Sequence, residues 1–153
     1  VNVELRPARR EDLPALMRYV HALHRLDRRQ FDLFHVERAL LPLLTATGHG
    51  CVWLIEAAGR PLGYLALCYG YSLRAGGRAA YIDGFYIEEE FRNRGIGTGV
   101  LRQVLGEARA AGIVAVHLQA GQDLERARRL LAAAGLGHCT PGSVLSAELA
   151  SRS

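Results

Sequence analysis

The sequence predicts an α/β fold: a mixed, mostly antiparallel, twisted sheet flanked by about four helices, in one domain covering residues 1–153. Three observations carry that expectation. Apolar residues recur at helical spacing in several separate segments, while short β-branched and aromatic runs bounded by Gly and Pro fill the middle of the chain. No internal repeat, low-complexity segment or linker divides the 153 residues, a length that buries roughly two thirds of the unfolded surface in a single core.

Taken in order, residues 1–5 alternate apolar and polar and read as a short strand. A helix opens at Glu11 or Asp12, with Leu13, Leu16, Met17, Val20 and Leu23 or His24 as its apolar stripe, and ends near Arg28. A second helix covers residues 33–45, with Pro42 marking a kink or an early end. Residues 51–56 form a strand, and Gly59-Arg60-Pro61 turns the chain into the next one, 62–69. A second turn at 75–78 leads to a third strand, 79–87, so a meander of antiparallel strands feeds the segment that follows.

That segment is Arg92-Asn93-Arg94-Gly95-Ile96-Gly97-Thr98-Gly99. Val100, Leu101, Val104, Leu105 and Ala108 then mark one helical face, which sets the glycines at a helix N-terminus, and Gly112 caps the far end. Unpaired N–H groups and the positive end of the helix dipole converge there, suiting a phosphate or pyrophosphate, and Arg92 and Arg94 add positive charge. A glycine-spaced pair alone fits a turn that merely starts a helix equally well. Residues 113–118 read as a short β-branched strand. Asp123 begins a last helix with Leu124, Ala127, Leu130, Leu131 and Ala134 inward, stopped by Gly135, and residues 139–149 supply one or two final strands.

Composition removes several function classes. Half the residues are hydrophobic, yet no apolar run approaches the roughly 20 residues a membrane helix needs, so no membrane association is expected. Charges stand in VNVELRPARREDL where a secretory signal needs an apolar segment, which gives an expectation of no export and a cytoplasmic location. Cys51, Cys68 and Cys139 are far apart without CxxC spacing, so they are expected buried and reduced, with neither a disulfide framework nor a metal site. The net charge is +4 and every basic residue is arginine, as in an Arg-rich, bacterial-like composition. Absence of lysine removes the phosphate-binding P-loop. The arginines alternate with acids instead of forming a basic patch among aromatics, so nucleic acid is not expected as a partner.

A dinucleotide-binding fold needs its glycines directly after a strand and an acidic residue about 20 positions later. Here residues 88–91 intervene, and Val114-Ala115-Val116-His117 carries no acid. The chain instead resembles the GNAT superfamily of N-acetyltransferases. Arg92-x-x-Gly95-x-Gly97 satisfies its Arg/Gln-x-x-Gly-x-Gly/Ala motif, and Ile82-Asp83-Gly84-Phe85-Tyr86-Ile87 is similar to its Leu-Glu-Asp-Leu-Tyr-Val strand at the expected distance. Element order extends the resemblance over nearly the whole chain. The aromatic hairpin around Tyr64, Tyr69 and Tyr71 looks, more loosely, like that of the diamine and polyamine acetyltransferases.

The resemblance implies acetyl-CoA as co-substrate. It assigns the pyrophosphate to Asn93, Arg94, Gly95, Ile96, Gly97 and Thr98 with Arg92 at the head of the motif, and pairing of the pantetheine arm to the backbone of Phe85, Tyr86 and Ile87. Acetyl transfer requires a neutral amine, and Asp83 matches the acidic position that serves as base in several members; a strand aspartate held in a salt bridge or turn is the rival reading. The acceptor is expected between the first two helices and residues 69–77, with Asp27 and Tyr71 as substrate contacts. A polyamine, an amino acid and a drug-like amine all suit that wall, although Arg25, Arg28, Arg29 and Arg74 would repel a polycation. A protein amine is a further alternative, and dimers are common in the family.

One departure stands out. The family often reads Asn-x-x-Ala-x-x-x-Tyr-x-x-x-Gly on the last helix, with the tyrosine protonating the departing thiolate, and here the register Leu124-x-x-Ala127-x-x-x-Leu131-x-x-x-Gly135 puts leucine at both the asparagine and the tyrosine positions. Tyr86, His117, His138 and Cys139 are the substitutes to test. An acetyl-CoA sensor or scaffold without turnover is the alternative that this departure motivates.

Overall fold

The structure is a computed structural model that describes residues 2–45, 48–118 and 124–135, with the side chains of 124–127 left outside the description. Strand β1 (Glu4–Pro7) is followed by a 3-10 turn, helices α1 (Leu13–Leu26) and α2 (Leu33–Thr45), and strands β2 (Gly50–Ala57), β3 (Arg60–Ser72) and β4 (Gly77–Ile87). A second 3-10 turn, Glu89–Phe91, leads to α3 (Ile96–Ala110), β5 (Ala115–Leu118) and α4 (Leu124–Ala133). The strands lie in one sheet in sequence order. β1 to β4 pair antiparallel and β4 pairs β5 in parallel, so α3 must cross the sheet between them.

Both sheet faces are covered. Ile55, Leu65, Leu67, Ala80 and Ile82 pack with Val100, Leu101, Val104, Leu105 and Ala108 of α3, and with Leu130 and Leu131 of α4. On the opposite face Val52, Leu54, Tyr64 and Ala66 pack with Leu16, Tyr19 and Val20 of α1 and with Val36 and Leu40 of α2. Alternation along β3 produces the split, odd positions facing α3 and even positions facing α1. Leu101 and Val104 are fully buried, and each such side chain contributes about 1.5–3 kcal/mol by leaving water.

The predicted helices stand close to their expected bounds, and α2 runs past Pro42 to Thr45. The aromatic hairpin is longer than its sequence implies. Tyr71 pairs with Arg78 and Ser72 with Gly77, and the turn closes at 73–76, where the Ser72 Oγ accepts the Ala75 N–H at 3.0 Å and Gly76 takes φ +80°. Strand β1 lies two to three residues later than expected, held by Arg6, which reaches both Glu56 and Asp12 at 2.9 Å. The final strands predicted over 139–149 fall outside the described residues. Cys51 and Cys68 are free thiols but only half-buried, a correction to the expectation of burial: both sit at the end of the β2–β3 pairing remote from its turn at 57–60, with their sulfurs beside the polar Tyr69 hydroxyl and Asp83 carboxyl. Cys139 lies outside the described residues.

Candidate active site

Helix α3 begins without a side-chain cap. Gly95 holds the N-cap position in the left-handed region at φ 75° and, having no side chain, makes no cap bond to the first-turn amides. Asn93 also has positive φ, at 60°, a conformation asparagine tolerates better than most residues. The Gly99 N–H donates to the Gly95 carbonyl at 3.1 Å, so the amides of Ile96, Gly97 and Thr98 stand ahead of the first helical bond and are the orphan donors of the turn. An uncapped N-terminus on a left-handed glycine fits the expected pyrophosphate. Arg94 is exposed beside it, with its guanidinium 5.9 Å from the Phe91 ring. Arg92 is half-buried and differently engaged: its Nε donates to the Ile87 carbonyl at 2.7 Å and its guanidinium lies 5.2 Å over the Tyr86 ring.

The register of the hairpin defines an adjoining edge. Glu88 donates its N–H to the Leu62 carbonyl at 2.8 Å, and the pairs Tyr64–Tyr86 and Ala66–Gly84 share that parity. Gly84, Tyr86 and Glu88 therefore direct their backbone groups at β3, whereas Phe85 and Ile87 direct theirs at the other edge. β5 ends opposite Ile82, so among the described residues the β4 edge beyond it has no strand partner. This narrows the expected pairing of the pantetheine arm to Phe85 and Ile87. Tyr86 is removed from that set because its backbone groups are taken up by Tyr64.

Asp83 sits where β4 changes register. Ala66 pairs with Gly84 but Leu67 with Ile82, leaving Asp83 as the extra residue of a β-bulge. Strict alternation would set Asp83 opposite both neighbours. The bulge instead puts Asp83 and Gly84 in succession on the face of α1, where a Cβ on Gly84 would stand 2.9 Å from Cε2 and Cζ of Tyr64. The Cys68 thiol points at the Asp83 Oδ2 across 3.9 Å.

Asp83 is an exposed residue whose carboxyl is only partly enclosed; that enclosure raises it above the ordinary carboxylate value, with Arg29 and the Cys68 thiol pulling it back down. Burial, reinforced by the Asp83 charge, pushes the Cys68 thiol up to about 11, which keeps it a protonated neighbour and not a nucleophile. Burial also raises the Tyr64 hydroxyl, and both Asp83 and Asp27 add to the rise. Asp27, at the end of α1, thus belongs to the same neighbourhood as Asp83, as does Arg29.

Tyr71 lies elsewhere. It is exposed near the hairpin tip opposite Arg78, four residues along β3 from the Asp83 bulge and so about 13 Å away along the strand. Sequence reasoning had not assigned Tyr64, Cys68 or Tyr81 to the site. The Tyr81 ring stacks on His117 at 5.0 Å, next to the point where β5 stops. The available signal was Gly84, since a glycine inside a strand marks a bulge or a close approach.

The candidate acids are placed as follows. Leu131 packs against the α3-side core, and Tyr86 lies between Arg92 and Tyr19, whose ring is 5.7 Å away. His117 is exposed beside Tyr81. His138 lies outside the described residues, and so does the Leu124 side chain. Among the described residues no group of three or more His, Cys, Asp and Glu gathers as metal ligands, and no helix is long and apolar enough to cross a membrane.

Comparison with known proteins bears on these features. The chain matches the profile of the Acetyltransferase (GNAT) family over residues 17–136. Its fold is similar to a GCN5-related N-acetyltransferase from Ralstonia eutropha JMP134, at 25% identity and TM-score 0.74, covering 97% of this chain and 99% of that one. It is also similar to a predicted acetyltransferase from Clostridium acetobutylicum solved with acetyl-CoA, at 20% identity, TM-score 0.77 and 97% coverage of both chains. An aminoglycoside acetyltransferase from an uncultured soil metagenomic sample, in complex with sisomicin, aligns at 16% identity and TM-score 0.74 over 96% of each chain. A search of curated proteins found no match.

Proposed function

The chain belongs to the acetyltransferase (GNAT) family, whose co-substrate is acetyl-CoA, and from that premise we propose that it acetylates the primary amine of a small molecule by direct attack, with Asp83 as the base. The observation that carries this reading is the position of Asp83. It occupies the bulge at the point where β5 ends and the β4 edge opens, which sets a carboxylate of raised pKa next to the backbone expected to hold the thioester arm.

Acetyl-CoA supplies an acetyl group activated as a thioester. The residues of this chain do the rest. The amides ahead of Gly99 hold the pyrophosphate, and the edge groups of Phe85 and Ile87 align the arm. An amine of pKa about 10 is protonated at neutral pH, so Asp83 takes its proton, directly or through water. The nitrogen then bonds the carbonyl carbon as the carbon–sulfur bond breaks. An edge N–H is available to the charge developing on the carbonyl oxygen. The acylated nitrogen sheds its second proton through water to the departing thiolate, whose conjugate acid has a pKa of about 8.5, so leucine at position 131 is compatible with turnover.

Arg29 beside Asp83, with Arg25 and Arg28 on the same segment, disfavours a polycation such as the aminoglycoside held by the soil-metagenome neighbour. A monoamine or an amino acid fits the charge balance better. The test is release of CoA thiol from acetyl-CoA across a panel of amines, amino acids and lysine peptides. Release with a small amine supports the proposal, and release with peptides alone transfers it to a protein acceptor. Tight binding with no release from any amine would leave an acetyl-CoA sensor in its place.

A further inference from the structure

We propose that Arg92 is a positioning residue that fixes the open β4 edge for the pantetheine arm, and is not a ligand of the pyrophosphate. The inference rests on the acetyl-CoA reading above. Its ground is what the side chain already holds. The Arg92 Nε donates to the Ile87 carbonyl at 2.7 Å, a charge-assisted length. By the parity of the hairpin that carbonyl faces the open edge, at the point where strand gives way to loop, so Arg92 holds it and the Ile87 N–H and the Phe85 groups are what remain for the arm.

The rest of the guanidinium is committed to a stack: it lies 5.2 Å over Tyr86, which is tilted against Tyr19 at 5.7 Å, and the Tyr19 hydroxyl donates to the Glu88 Oε1 at 3.2 Å. Arg92 thereby ties the loop 88–95 back onto the last residue of β4 and, through two aromatic rings, onto α1. The distance between the edge that pairs the arm and the amides that cradle the pyrophosphate is set by that tie. Arg94, two residues on, is exposed and has no such engagement with the strand.

Chemistry separates the two roles. A glutamine carries its Nε2 donor the same number of bonds from the backbone as the arginine Nε, without the charge, and methionine carries neither donor nor charge. The experiment measures CoA binding by calorimetry for the wild type, Arg92→Gln, Arg92→Met and Arg94→Ala. In parallel, the amide shifts of Phe85 and Ile87 are followed by NMR as pantetheine, which lacks the pyrophosphate, is titrated in.

The expected result is that Arg92→Met weakens CoA and pantetheine alike, by about tenfold. Arg92→Gln restores both to within about threefold, and Arg94→Ala weakens CoA alone, with a shallower salt dependence. Equal loss of CoA affinity in Arg92→Gln and Arg92→Met, with pantetheine binding untouched, makes Arg92 a phosphate ligand and overturns the proposal while the acetyl-CoA reading stands. Should Arg92→Met fail to fold, the Arg92→Gln comparison with the wild type decides by the same criterion. No CoA binding by the wild type overturns both.

Discussion

On the α3 side of the site what is offered to a ligand is mostly main chain, three first-turn amides, the Phe85 edge groups and the Ile87 N–H, with the exposed Arg94 guanidinium beside them. On the α1 side the same strand offers side chains, namely Asp83 with Cys68, Tyr64, Asp27 and Arg29 around it. Main chain is indifferent to side-chain identity but depends on dihedral angles and on where a Cβ is missing. Side chains carry charge and titrate, so they set which acceptor is recognised and at what pH. A half proposed to grip the co-substrate and a half proposed to select the acceptor differ in the way this contrast leads one to expect.

Substitutions sharpen or break the contrast. The largest effect belongs to Asp83→Asn, which should lower kcat about a hundredfold or more, at the lower end of what a general base supplies, and leave CoA affinity in place. An unchanged rate across pH would remove Asp83 from the chemistry. The same variant carries a stability signature. Because the folded pKa is raised above the ordinary 3.8, the native chain keeps this proton to higher pH than the unfolded chain, and stability present below that value is lost as pH rises through the folded one. Asp83→Asn should therefore raise the melting temperature slightly at neutral pH, the effect being screened by solvent at an exposed position, and leave it unchanged near pH 3; a lowered neutral melting temperature would contradict the raised carboxyl.

Gly84→Ala drives a Cβ into the Tyr64 ring, at 2.9 Å from two of its carbons. Overpacking of this kind costs about 1–3 kcal/mol, read by chemical denaturation, and should depress turnover more than CoA binding because it disturbs the bulge. Gly95→Val acts on the other half. A β-branched residue at φ 75° is strained by about 1–2 kcal/mol, so CoA affinity should fall about tenfold in calorimetry. Retained affinity would detach the loop from the phosphate role. The smallest effect is a control: Gly106, exposed within α3 with open space where a Cβ would go, should gain about 0.5–1 kcal/mol of stability as alanine with both halves of the site unaffected.

Much of the backbone-built half was legible in the sequence, because glycine spacing, helical periodicity and the motif around Arg92 are local signals. The bounds of α2 and the start of α3 followed from the same local rules. The side-chain half was legible at Asp83 and Asp27 but not at Tyr64 or Cys68. A period of two cannot see a bulge, and the register change at Asp83 depends on Tyr64 meeting Gly84, residues twenty positions apart in the chain. The length of the hairpin escaped for a related reason: Gly70 reads as a strand breaker, yet it lies beneath the Tyr81 ring, where a Cβ would be 3.1 Å from the ring edge. Leu131 was legible as a missing acid, and its place in the core shows what the position contributes instead.

The bulge has a consequence for how such a protein can change over generations. The hairpin on its far side keeps its own register count, so residues such as Cys68, Tyr81 and His117 can be exchanged, and the hairpin lengthened or shortened, without reversing which backbone groups Phe85 and Ile87 present. One inserted residue thereby separates the register of the hairpin from the register of the edge proposed for the co-substrate arm.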